Sequence, residues 1–218
     1  MTQGLARSRF LLVALAATSL SAQVPEGWSW ELDGAQKDPR SGAVASGDWA
    51  YQAMPPGWHL TTTTQGVTLF PKEPRPMRGD WGVETEFFLF PDPSDAGVGV
   101  VAMATTGGPR FEELRFLLRR DGQVAVEGVR PEGDTLLVPW TQDTAAAAHD
   151  GKEAKRYVMR IVHQGGVLDL SVNGREMLAL PLGDNVHEPI LGFRGGPGLN
   201  LHVARFDLIT PLAPPKQR

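Results

Sequence analysis

What most narrows the folds open to this chain is a steady beat of short apolar runs separated by turn residues. From Trp28 onward, runs at 58–63, 67–70, 83–90, 98–105, 114–119 and 124–129 are followed by others at 136–140, 157–163, 167–172, 176–180, 190–193 and 199–209. A spacing of roughly 8–12 residues with turn chemistry between the runs marks an antiparallel sandwich or barrel. Within 167–172, Leu168, Leu170 and Val172 alternate with Asp169 and Ser171. A two-residue period sends successive side chains to opposite faces, so this strand has one face for a core and one for water. In 157–163 the series Tyr157, Met159, Ile161, His163 alternates with Val158, Arg160, Val162, and both faces carry apolar residues. Such a meander needs a second sheet over its apolar side, and the expected fold class is all-β with two antiparallel sheets.

The turns support this reading. Asn173-Gly174 and Asp121-Gly122 are two-residue hairpin signals, because both central positions of a type I′ turn need positive φ. Gln164-Gly165-Gly166 is a third turn. The chain holds 25 glycines and 18 prolines, which fall between the runs without a collagen-like period and argue against a helix bundle. Residues 144–155, with four consecutive alanines, lack an apolar stripe and are expected to form a short surface helix or a loop.

The formal charge of −4 is spread over interspersed acids and bases, which offers no basic surface for a phosphate backbone and excludes nucleic acid as a partner. The absence of cysteine removes disulfides, thiolate nucleophiles and zinc-thiolate sites. Arg7 and Arg9, an apolar stretch at 10–17 and the small residues Ser19-Leu20-Ser21-Ala22 before Gln23 read as a secretory leader over 1–22. That apolar stretch falls short of the ~20 residues of a bilayer span. A periplasmic or extracellular protein without membrane insertion is expected, with one domain over 23–210, a disordered tail over 211–218 and a monomeric state.

The run from Tyr157 to Gly174, the following Pro181-Leu182 and the segment from Gly192 to Leu208 resemble the concanavalin A-like lectin/glucanase superfamily. Within it they are most similar to the laminin-G-like and keto-disaccharide-hydrolase-like jelly rolls of secreted bacterial proteins. Gly79-Asp80-Trp81-Gly82-Val83-Glu84-Thr85-Glu86-Phe87 and Gly97-Val98-Gly99-Val100 resemble two earlier strands of that family, and the likeness runs from about Trp49 to Leu208. It implies a two-sheet antiparallel jelly-roll sandwich that binds carbohydrate on the concave face or its rim. Fold alone does not assign chemistry.

Retaining glycosidases of this fold carry three acids on one strand in the pattern Glu-x-Asp-x-x-Glu, so that nucleophile and acid/base stand ~5–5.5 Å apart. Glu84 and Glu86 have the i, i+2 relation that puts both on one face, but positions 88 and 89 are Phe and Leu, and the signature is absent. Six tryptophans against two tyrosines suggest sugar stacking, with Trp58, Trp81 and Trp140 best placed for a rim. Packing between the sheets is the competing use of the same rings. Arg194, among glycines, offers a donor fork to a hydroxyl or carboxylate, or else belongs to a turn. Arg115, Arg119 and Arg160 either line a polar concave face or wet an outer one. The candidate ligand-binding set is Trp58, Trp81, Trp140, Arg194, Glu84 and Glu86, with no catalytic residue assigned.

The five histidines, His59, His149, His163, His187 and His202, show no paired ligand spacing, and no cofactor is implied. Asp92 and Asp95 offer clustered oxygens that could hold calcium, or form a Pro/Asp turn. No phosphate-binding Gly-rich loop and no Gly-x-Ser-x-Gly elbow is present. The leading reading is a secreted carbohydrate-binding sandwich. A glycoside hydrolase or lyase of the keto-disaccharide-hydrolase-like type and an envelope interaction module are the alternatives.

Overall fold

A computed structural model of the chain describes residues 27–33, 49–73, 77–104, 111–142, 144–146, 148–181 and 188–209. The expected leader, the C-terminal tail and His187 lie outside them. Among the described residues the strands are β1 (Trp28–Leu32), β2 (Trp49–Ala53), β3 (Trp58–Thr62), β4 (Val67–Pro71), β5 (Trp81–Leu89), β6 (Val98–Met103) and β7 (Glu113–Leu118). Then follow β8 (Gln123–Val129), β9 (Thr135–Gln142), β10 (Lys155–Gln164), β11 (Val167–Val172), β12 (Arg175–Pro181), β13 (Ile190–Gly195) and β14 (Asn200–Ile209). They form two seven-stranded antiparallel sheets, a jelly-roll sandwich. The first sheet runs β1-β4-β13-β6-β7-β8-β9 and the second β12-β11-β10-β5-β14-β3-β2. No helix among the described residues is long and apolar enough to cross a membrane.

Turn chemistry fixes the hairpin registers. Asn173 (φ 51°) and Gly174 (φ 79°) both have positive φ, as do Gly165 (φ 60°) and Gly166 (φ 81°), so β11–β12 and β10–β11 close on two-residue type I′ turns. The β7–β8 hairpin differs from the type I′ turn expected of Asp121-Gly122. Only Gly122 has positive φ, its N–H donates to Arg119 O at 3.0 Å, and the Asp121 carboxylate accepts the Gln123 N–H. This is a three-residue loop ending in a glycine bulge, which needs one left-handed residue instead of two. Within 144–155 the described residues hold a 3-10 turn, Thr144–Ala146, and irregular chain over 148–154 up to β10.

The facing sides of the sheets meet in a seam of rings. Trp58 of β3 meets Phe193 of β13 edge-on at 5.3 Å, Phe193 meets Phe87 of β5 at 5.9 Å, and Phe87 stacks on Tyr157 of β10 at 5.8 Å. Trp28 packs on Phe206 at 5.4 Å, and Trp30 lies 5.2 Å from Trp49. Each such pair adds about 0.5–1.5 kcal/mol beyond the area it buries. The seam thus ties the N-terminal strands β1 to β3 to the sheet centres.

Tyr157 is fully buried in this seam. Burial, with Asp121 reinforcing and Arg120 opposing, pushes its phenol up to about 12, and burial also raises Tyr51. These are the chain's two tyrosines. A raised native value means that the neutral phenol's contribution to stability is complete below the ordinary value of 10.0 and is lost as pH rises through about 12. A spectrophotometric titration at pH 10 is expected to show far less tyrosinate in the native protein than in the same chain in denaturant; equal signals would contradict the packing.

Candidate functional site

The strand period assigns every candidate residue to the interior or to one of two outward faces. Inward on β5 are Trp81, Val83, Thr85, Phe87 and Leu89, and inward on β7 are Leu114, Phe116 and Leu118, all buried. Trp81 is 1% exposed and stacks on His163 at 5.4 Å, and Trp58 is 7% exposed within the aromatic seam. Both rings pack between the sheets, which corrects the expectation that they stand on a rim: an indole enclosed by core side chains has no face left for a sugar.

Glu84 and Glu86 point away from the core on the second sheet, as their i, i+2 spacing requires. Register places Arg205 and Arg160 beside them. Glu84 pairs with Arg205, and Glu86 accepts the Arg156 Nε–H at 2.7 Å. That hydrogen bond and the arginine charges outweigh desolvation and hold the Glu86 carboxyl below the usual range. A general acid needs the opposite shift. Glu84 itself lines a shallow groove of about 420 Å³, together with Val158, Arg160, Asp169, Ser171 and Glu176 among others.

The outward face of the first sheet is different, because its side chains point away from the core and are nevertheless sheltered. Val101 and Ala125 are fully buried and Leu117 nearly so, and in register Leu117 lies between Gly99 and Ala125. Around this apolar floor stand three arginines. Arg194 on β13 is 8% exposed and donates from both terminal nitrogens to Asp33, at 2.8 and 2.6 Å, and to Thr68 Oγ1 at 3.2 Å. Arg115 on β7 is 13% exposed and lies among Glu113 (2.9 Å), Asp134 (3.0 Å) and Glu127 (3.7 Å). Arg119, just past β7, lays its guanidinium 3.7 Å from the centre of the Trp140 ring.

Trp140 is the one tryptophan among the described residues that this alternation sends outward. A Cβ added to Gly97 would sit 3.0 Å from the Trp140 ring and 3.0 Å from Leu117, so a glycine in the β5–β6 loop lets β9's ring lie close against the floor. Asp92 holds that loop, accepting the Ser94 and Asn200 N–H groups on its two oxygens. Among the described residues no group of three or more His, Asp or Glu side chains could hold a metal ion.

The structure therefore divides the expected set three ways: Trp58 and Trp81 inside, Glu84 and Glu86 on the second sheet, Trp140 and Arg194 on the first. Arg194, offered by the sequence as a ligand donor, is instead tied to Asp33 and Thr68, and Asp33 itself was not foreseen. The two lie 161 positions apart, and nothing local signals such a pair. Glu127 and Asp134 were missed as well, because only register shows that they converge on Arg115.

Burial raises the Asp33 carboxyl, but the Arg194 hydrogen bonds and charge, the Arg115 charge and the Gly66 N–H together bring it below the ordinary value. Its stabilisation is thus present above the unfolded carboxyl's ~3.9 and is lost as pH falls through the lower native value. Asp33 is itself 37% exposed, which places the pair between the near-zero worth of an exposed bridge and the roughly 3–5 kcal/mol cost of orphaning a buried one. Asp33→Asn is expected to lower stability in denaturant melts by about 2 kcal/mol at neutral pH, with the gap to wild type closing below pH ~4. A gap independent of pH would contradict the ion pair.

No protein-family model and no curated protein sequence matches this chain. Solved structures do match. The carbohydrate recognition domain of Emp46p in its potassium-bound form superposes with a TM-score of 0.57 at 11% identity, covering 86% of this chain and 90% of that one. A glycoside hydrolase family 16 endo-glucanase from Bacteroides ovatus gives 0.57 at 9% identity, over 86% and 96%. The carbohydrate binding module CBM66 from Bacillus subtilis gives 0.54 at 10%, over 74% and 94%. Their sheets and those described above share one architecture, a jelly roll of two antiparallel sheets.

Proposed function

We propose that this protein is a secreted carbohydrate-binding sandwich whose glycan lies on the outward face of the first sheet. The observation that carries the reading is the surroundings of Arg115. A guanidinium this sheltered on a side of the sheet that faces away from the core, with three carboxylates around it and an apolar floor beside it, is a polar recess of the kind that fixes a hydroxylated ligand. The C–H face of a saccharide would pack on the half-buried Trp140 ring, which the buried Leu117 and Ala125 support from beneath. Its hydroxyls would donate to Glu113, Glu127 and Asp134 and accept from Arg115, whose Nη2 has no partner among the described residues. The face has room for a short oligosaccharide, since strands ~4.8 Å apart put β13 and β9 about 19 Å from each other.

The recognition domain and the binding module among the fold relatives support carbohydrate as the ligand class. The leader-like segment at 1–22 supports export. The hydrolase alternative finds no support at Glu84 and Glu86, which are occupied by arginines. An envelope interaction module would need a broad apolar patch. The exposed large apolar side chains among the described residues are Met54, Leu136 and Leu208, with Leu136 on the first sheet and Leu208 on the second.

Polysaccharide pull-down and glycan-array binding test the proposal. Trp140→Ala is expected to weaken binding by about tenfold or more, given the ~1–3 kcal/mol scale of a stacked or charge-assisted contact, while Phe88→Ala on the second sheet's outward face leaves it unchanged. Loss in the Phe88 variant with retention in the Trp140 variant would move the site to the other sheet.

A further inference from the structure

We infer that the saccharide bound on the first sheet carries a carboxylate, and that Arg119 reads it. The inference rests on the carbohydrate reading above and names the ligand class of the same site. The other two arginines of this face are neutralised by the protein, Arg194 by Asp33 and Arg115 by Glu113, Glu127 and Asp134. Arg119 is not: its guanidinium rests on Trp140, no carboxylate of the described residues lies within ion-pair distance, and its Nε is buried without a hydrogen-bond partner. A fork of donors, flattened and held by an indole and lacking a counter-charge, is pre-organised for a planar anion, which it can bind bidentately.

Placement makes the recess polar in direction. Glu113, Arg115, Leu117 and Arg119 follow one another on the outward side of β7, so four residues at ~3.3 Å put Arg119 about 13 Å from Arg115. Between them lie Leu117, Gly99 and Ala125, which raise no polar group. The Arg115 end has an excess of carboxylates and suits neutral hydroxyls. The Arg119 end is cationic and lies beside the one outward indole. A ligand that satisfies both ends is an oligosaccharide with neutral hydroxyls at one end and a uronic acid at the other.

Isothermal titration of the full chain with trisaccharides of galacturonate, mannuronate and glucuronate, each beside its carboxyl-reduced neutral counterpart, tests this. At least one acidic trisaccharide is expected to bind about tenfold or more tightly than its reduced form, as befits a charge-assisted bidentate contact. Arg119→Gln should narrow that preference to within about twofold, Arg119→Lys should keep part of it because charge remains while the fork is lost, and Arg160→Gln on the second sheet should leave it intact. Far-ultraviolet circular dichroism verifies that each variant is folded. Equal binding of acidic and reduced sugars, or a preference that survives Arg119→Gln, overturns the carboxylate assignment and leaves the carbohydrate reading standing. No binding to any member of either series, with none on a wider glycan panel, overturns both.

Discussion

The alternation of β7 sends Leu114, Phe116 and Leu118 into the sandwich and Glu113, Arg115, Leu117 and Arg119 to the other side, and most of what the protein can do depends on that division. A shift of one residue would bury two arginines in the core and empty the recess of its charges. The hairpin to β8 forbids the shift, because Gly122 alone takes the left-handed conformation that closes the loop and an added Cβ there would meet the Ala146 carbonyl at 2.0 Å. The aromatic seam holds the same register from beneath. Function on the outer side of this sheet is therefore set by packing on the inner one.

Charge placement completes the picture. The two outward faces both carry arginines and acids, yet they use them differently. On the second sheet Glu84, Glu86, Arg156 and Arg205 form an open ladder in which cations meet acids across strands, an arrangement worth little per bridge and well suited to keeping a sheet soluble. On the first sheet the ion groups are sheltered, so each carries the desolvation cost that only a full set of partners offsets. Arg194 meets that demand with Asp33 and Thr68, and in doing so secures the residue that follows β1 to the centre of the sheet. Arg119 leaves it unmet.

Much of the fold was legible in the sequence because β-structure is written locally. Alternation in 167–172 and the Asn173-Gly174 dipeptide each act over a few residues, and the strands from β3 onward fall within a few residues of their expected positions. The two N-terminal strands, Trp28–Leu32 and Trp49–Ala53, carry no clean alternation, and their tryptophans take meaning only from the rings they meet across the sandwich. The site was far less legible. A tryptophan is equally at home in a core and on a sugar-binding rim, and which of the two Trp58, Trp81 and Trp140 occupy depends on strand phase and on neighbours up to 135 positions away, such as Phe193 beneath Trp58. Arg194 looked open among its glycines until Asp33 was seen beside it.

The central claim is that the ligand rests on the first sheet's outward face, over β7 and against Trp140. Heteronuclear NMR of the six indole Nε1–H signals during saccharide titration tests it most directly. The account predicts that the Trp140 signal moves with saturation while the indoles packed between the sheets, Trp28, Trp30, Trp49, Trp58 and Trp81, stay in place. A bound saccharide that leaves Trp140 unmoved and instead shifts backbone signals of β10 and β11 around Arg160 and Asp169 would contradict it.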